Sequence, residues 1–161
     1  MADHVTRRVT QDREIESITF RDLFLIVRCG RATLDNQREL ERFLVERAGS
    51  SPGGLGVAVL IPSDVFPPEN HLRREILALL TRQASRIRGL VWVIAASGFH
   101  AAAIRAAATS SSVGLRQHYP TFIAGDLRGT LTWLLPLLGG PARLAELNLT
   151  IRAIEASDPP G

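Results

Sequence analysis

Residues 57–61 read Val-Ala-Val-Leu-Ile and residues 90–95 read Leu-Val-Trp-Val-Ile-Ala, and these two runs decide the fold class. Such continuous apolar sequences are typical of strands that are covered on both faces, because neither face then meets water. Between them, Pro67-Pro68 begins a helix that we expect to reach about Arg86, since proline is favoured in the first helical turn. A helix that joins two buried strands predicts a parallel crossover unit.

The same alternation of strands and helices extends outward in both directions. An antiparallel hairpin is expected at the start of the fold, with Arg21-Asp22 as its turn. The element order is therefore β-β-α-β-α-β-α-β-α, an α/β fold with a mostly parallel sheet. The other predicted strands are 15–20, 23–28 and 121–124, and the other predicted helices are 34–48, 99–109 and one that Asp126 caps and Pro136 ends or kinks.

One domain, residues 14–138, accounts for most of the chain. Residues 1–13 are expected to form a flexible N-terminal arm. Residues 139–161 are expected to form an extra amphipathic helix and a frayed tail, because apolar residues recur there at a helical spacing. That helix could pack on its own domain or on another chain, for example in a homodimer. The predicted core includes Leu25, Val27, Val59, Ile61, Val91, Val93, Phe122 and Ile123.

Composition limits the function classes. The chain has 161 residues, of which 45% are hydrophobic, and this is enough for a sizeable core. All 19 basic residues are arginine, so the pI of about 10.3 reflects missing lysine while the net charge is only +3. This charge does not indicate nucleic-acid binding. A single cysteine excludes a disulfide framework, and the absence of a long apolar run predicts a cytoplasmic protein with no membrane span.

The chain resembles a known family in its element order and in four stretches, residues 23–30, 56–62, 89–99 and 119–133. It resembles the STAS domain of anti-sigma-factor antagonists, and is most similar to the single-domain SpoIIAA-like proteins of bacteria. The resemblance implies a STAS-like fold and a non-catalytic regulatory role through a protein partner, commonly a kinase-like anti-sigma factor. Classical members carry a phosphorylatable Ser or Thr in the turn after the third strand. Residues 65–71 contain neither, so we expect the phosphorylation switch to be absent.

The resemblance also implies where a partner binds, because the family uses that turn and the helix after it for recognition. A helical wheel puts Leu77 off the apolar stripe and close to arginines, where an exposed leucine would suit an interface. The alternative is that Leu77 packs beneath a neighbouring loop. The predicted partner-binding residues are Glu69, Asn70, His71, Arg73, Arg74 and Leu77.

A second functional hypothesis concerns Ser97, Gly98, Phe99 and His100, where a parallel strand passes into a helix. Backbone N–H groups at a helix N-terminus can hold an anion, which would make the protein a sensor of a nucleotide, phosphate or carboxylate. The alternative is a plain helix cap. No nucleophile motif or metal-ligand spacing is present, and Cys29 is expected to be an inert buried thiol. We therefore predict no catalytic residue, metal or cofactor.

Overall fold

The computed structural model describes residues 4–62, 68–94 and 98–157, with the backbone only at residues 99 and 100. The strands are β1 (Thr6–Val9), β2 (Ile15–Phe20), β3 (Leu23–Arg28), β4 (Leu55–Ile61), β5 (Ile87–Ile94) and β6 (Thr121–Ala124). The helices are α1 (Leu34–Ala48), α2 (Asn70–Arg82), α3 (Phe99–Leu115), α4 (Leu127–Gly139), α5 (Pro141–Leu144) and α6 (Leu147–Glu155), with a short 3-10 turn at Ala84–Arg86.

All six strands form one mixed sheet in the order in which they occur along the chain. The first three strands pair antiparallel, and β3 to β6 pair parallel. The predicted α/β class and the opening hairpin of β2 and β3 are therefore confirmed. Because each crossover adds the next strand on the same side and such crossovers are right-handed, α1, α2 and α3 share one face of the sheet.

Two hydrophobic layers result from the alternation of side chains along the strands. Phe24 and Ile26 face α1, α2 and α3, whereas Leu23 and Leu25 face α4 and α6. The sheet is thus covered on both sides, which explains why β4 and β5 are apolar throughout. Most of the predicted core is buried, but Phe122 is 39% exposed because β6 is an edge strand. There its ring stacks on Trp133, with centroids 5.2 Å apart.

The N-terminal segment differs from the expected flexible arm. Thr6–Val9 is a strand, β1, which pairs with β2 from Thr6 opposite Thr19 to Val9 opposite Glu16. The guanidinium of Arg7 reaches the carboxylate of Glu16 at 2.5 Å and the hydroxyl of Ser157 at 2.8 Å. These polar contacts hold β1 at the edge of the sheet, although its sequence, Thr-Arg-Arg-Val, contains one apolar residue.

The C-terminal segment forms two helices rather than one. Ile151 and Ile154 of α6 are buried against α4 and β2, so the apolar face of this helix packs on its own chain. Leu149 is 56% exposed. Within α4, Pro136 neither ends nor interrupts the helix, which continues to Gly139. None of the helices within the described residues is both long and apolar enough to cross a membrane.

Candidate functional site

The start of α2 carries most of the predicted partner-binding residues. Glu69 is the N-cap residue, but its side chain does not cap the helix. Its carboxylate lies 3.1 Å from the guanidinium of Arg31 and 3.5 Å from Nδ1 of His71. Glu69, Asn70 and His71 are all exposed, as an interaction surface requires.

The two arginines that follow lack such partners. Arg74 is exposed and Arg73 is half-buried, and neither forms an ion pair or hydrogen bond with the residues that the structure describes. At the other end of the helix, Arg82 donates two hydrogen bonds to Glu41 of α1, at 2.9 and 2.6 Å. The end of α2 is therefore tied to α1, while the two arginines near its beginning are available to a partner.

Leu77 does not form an exposed apolar centre. It is half-buried and packs against the hydrophobic layer beneath α1, α2 and α3. The alternative reading of this residue, as a packing side chain, thus agrees better with the structure. The helical wheel misplaced Leu77 because the apolar surface of α2 is wider than one stripe of residues: α2 packs on the sheet between α1 and α3.

Beneath α2 lies a partly open cavity of about 80 Å³ between the sheet and the three helices. Strands β2 to β5 supply its floor, and α1, α2 and α3 supply its walls. Trp92 forms part of the floor, and its indole N–H donates to the hydroxyl of Ser112 on α3 at 3.1 Å. The apolar lining consists mainly of Ile15, Ile26, Leu40, Val59, Ile61, Ile76, Leu77, Leu79, Leu80, Trp92, Ile104, Ala107 and Ala108.

A buried arginine also lines this cavity. Arg28, at the end of β3, is 6% exposed, and burial lowers the pKa of its guanidinium from the ordinary value. Nη2 donates to the carbonyl of Gly30 at 3.3 Å, but Nε is buried with no partner among the described residues. A buried charge without an opposite charge is unfavourable, so Arg28 is a site where an anion would be stabilised.

Arg28 is not among the residues predicted from the sequence, although the sequence carries a signal for it. Strand residues two apart share a face, so Arg28 follows Phe24 and Ile26 on the face that the helices cover. A charged residue at the last inward position of an apolar strand is unusual enough to mark a candidate site.

The predicted anion site at residues 97–100 is only partly described. Ser97 lies outside the described residues, as do the side chains of Phe99 and His100. Gly98 is exposed and has a φ of 94°, a left-handed conformation that favours glycine, and it precedes the first residue of α3. The proposed ligand contacts of Ser97 and His100 therefore stay predictions.

Cys29 is not the buried thiol that was expected. It is exposed, because it follows the last residue of β3 and faces outward where the sheet ends. Partial burial, with Glu16 and Glu14 nearby, raises the pKa of its thiol and so disfavours the reactive thiolate at neutral pH.

Comparison of the chain with protein-family models, curated proteins and solved structures finds no match. The resemblance to STAS domains therefore stays a prediction.

Proposed function

We propose that this chain is a non-catalytic regulatory module of the STAS-like kind that binds an acidic surface of a protein partner through the beginning of α2. The docking surface comprises Glu69, Asn70, His71, Arg73 and Arg74. The observation that carries the proposal is the pair of adjacent arginines on α2 that form no ion pair with the described residues.

The position of this pair in the helix strengthens the argument. The N-terminal end of a helix carries a partial positive charge, so acidic residues are favoured in its first turns and basic residues are not. The first turn of α2 contains no acidic residue, and Arg73 and Arg74 follow directly after it. The carboxylate of Glu69 is shared by Arg31 and His71, and that of Glu75, which follows Arg74, interacts with Arg82. Two arginines that form no ion pair with the described residues suit a partner with a complementary acidic surface.

The proposal is tested by comparing two charge reversals. Arg74→Glu changes the docking surface, and Arg152→Glu is the matched control, since Arg152 is an exposed residue of α6 on the opposite face of the sheet. Wild-type protein and both variants serve as baits for affinity capture from the native host, and the captured partner is then purified for binding kinetics.

We expect Arg74→Glu to slow association of that partner at least tenfold, and added salt to reduce the difference, because steering by exposed charges is screened. Arg152→Glu should bind as the wild type does. Equal association rates for Arg74→Glu and wild type would overturn the proposed docking surface.

A further inference from the structure

The charged side chains that line the cavity beneath α2 favour a negatively charged ligand. Arg28 reaches it from the floor and Arg73 from the wall, and no acidic side chain belongs to the part of its lining that the structure describes. The other polar lining residues are Gln37 and Ser111, which are neutral. A cation would therefore meet only like charges here, and an anion would meet two opposite ones.

The buried guanidinium of Arg28 is the second and stronger observation. Its Nε has no acceptor among the described residues, and its one hydrogen bond there, to the carbonyl of Gly30, is long at 3.3 Å. The planar arrangement of N–H groups in arginine matches the two oxygens of a carboxylate, which can accept from two of them at once. A donor is therefore in place, and none of the described residues supplies its acceptor.

The rest of the lining determines what the acid must look like. Aliphatic side chains and Trp92 surround the cavity, so the ligand needs an apolar tail. The volume of about 80 Å³ is roughly half that of an engineered apolar cavity known to hold benzene, and because the cavity is partly open it fits a tail of roughly three to four carbons.

We propose that this cavity binds a short-chain carboxylic acid, with the aliphatic tail between the sheet and α2 and the carboxylate on the guanidinium of Arg28. This inference goes beyond the proposed docking surface and does not depend on it. Arg74 does not line the cavity, so loss of partner binding in Arg74→Glu and loss of ligand binding are separate results.

Trp92 lines the cavity, so its fluorescence reports ligand binding directly. The chain has two tryptophans, and Trp133 lies on the opposite face of the sheet, so Trp133→Phe leaves Trp92 as the one tryptophan, which is excited selectively over Tyr119. This variant is titrated at neutral pH with isovalerate, isoamyl alcohol and isoamylamine, which share one branched tail and differ in charge. Calorimetry on the wild type confirms the affinities. Butyrate, hexanoate and octanoate then measure the length of tail that fits.

We expect isovalerate to bind at least tenfold more tightly than the alcohol, and the amine not to bind. Arg28→Met should lower the affinity for isovalerate to that of the alcohol, while Arg152→Met, a control on the far face, should leave it unchanged. Equal binding of acid, alcohol and amine, or unchanged affinity for isovalerate in Arg28→Met, would overturn the role of Arg28. No binding of any acid up to about 10 mM would overturn the site itself.

Two further measurements keep the inference testable if Arg28→Met does not fold. The comparison of acid, alcohol and amine on the wild type requires no substitution. Ala108→Leu, on the α3 wall, fills the cavity and should abolish binding of isovalerate and isoamyl alcohol alike. Full retention of both ligands by a folded Ala108→Leu would place them elsewhere and contradict the proposal.

Discussion

Gly56 and Gly89 are register partners on the neighbouring strands β4 and β5, and α4 lies directly against both. A Cβ atom at Gly56 would come within 2.9 Å of Cγ of Leu134, and one at Gly89 within 2.8 Å of a methyl group of Leu137. Because neither glycine has a side chain, the leucines of α4 can pack directly against the backbone of β4 and β5. This close packing covers the second face of the sheet and makes β4 and β5 buried strands.

We predict that alanine at either glycine destabilises the fold, and more so at Gly56. Leu134 is fully buried and cannot move aside, whereas Leu137 is half-buried and can rotate its methyl group away. We expect Gly56→Ala to lower the free energy of unfolding by about 2 kcal/mol and Gly89→Ala by about 1 kcal/mol. Urea denaturation measures both. Gly53→Ala is the control, since a Cβ there meets nothing within 4 Å, and the opposite ranking would contradict this account.

Asn36 links the start of α1 to the N-terminal part of the chain and should be important for stability. It is fully buried, its Oδ1 accepts from the N–H of Thr33 at 2.9 Å, and its Nδ2 donates to Asp12 at 3.0 Å and to the carbonyl of Arg31 at 2.9 Å. We expect Asn36→Ala to cost about 2–3 kcal/mol, because partners are left buried and unpaired. In thermal denaturation, the exposed Asn148→Ala should change stability by less than about 0.5 kcal/mol. A similarly small effect of Asn36→Ala would refute the prediction.

Local sequence signals were sufficient to predict much of the fold. Strands 15–20 and 23–28 and helix 34–48 were predicted at their observed bounds, because alternation, a tight turn and a glycine-rich stop all act within a few residues. The cap of α4 was also predicted: the carboxylate of Asp126 accepts from the N–H of Gly129 at 2.6 Å. In each case the deciding interaction lies close in sequence.

The predictions that the structure contradicts depend instead on how residues distant in sequence are arranged. β1 pairs with β2, and its Arg7 contacts Glu16 and Ser157, none of which the sequence of β1 alone indicates. Phe122 is exposed because β6 is the last strand of the sheet in the part of the chain that the structure describes. The alternation along β3 predicts that Arg28 faces inward, but the cavity around it depends on helices that are distant in sequence.

The ion pair between Glu41 and Arg82 should make stability depend on pH. Hydrogen bonds from Arg82, and then from Gln83, lower the pKa of the Glu41 carboxyl despite the opposing effect of its burial. A carboxyl whose pKa is lower in the folded state stabilises the fold above its unfolded pKa, and this contribution disappears as the pH falls through the folded pKa.

We therefore expect Glu41→Gln to lower the free energy of unfolding by about 1 kcal/mol at pH 7. The difference from wild type should shrink on acidification below roughly pH 4, where both states of the wild-type carboxyl become protonated. Urea denaturation across this pH range measures the effect, with the exposed Glu155→Gln as control. A difference that stays constant between pH 7 and pH 3 would show that the pair does not act through its charge.

Leu77 and Ala78 are neighbours on α2 whose substitutions should have opposite consequences. Leu77 is half-buried and lines the cavity, whereas Ala78 is exposed. Asparagine is the informative replacement at both positions, because it has no charge that could pair with Arg73 or Arg28, and the loss of helix propensity is slightly larger at Ala78. We expect Leu77→Asn to lower the free energy of unfolding by about 2 kcal/mol more than Ala78→Asn, since it removes apolar contact and places an amide against the hydrophobic layer. Were Leu77 instead the exposed centre of an interface, both variants would melt at the same temperature in circular dichroism and Leu77→Asn alone would lose the partner.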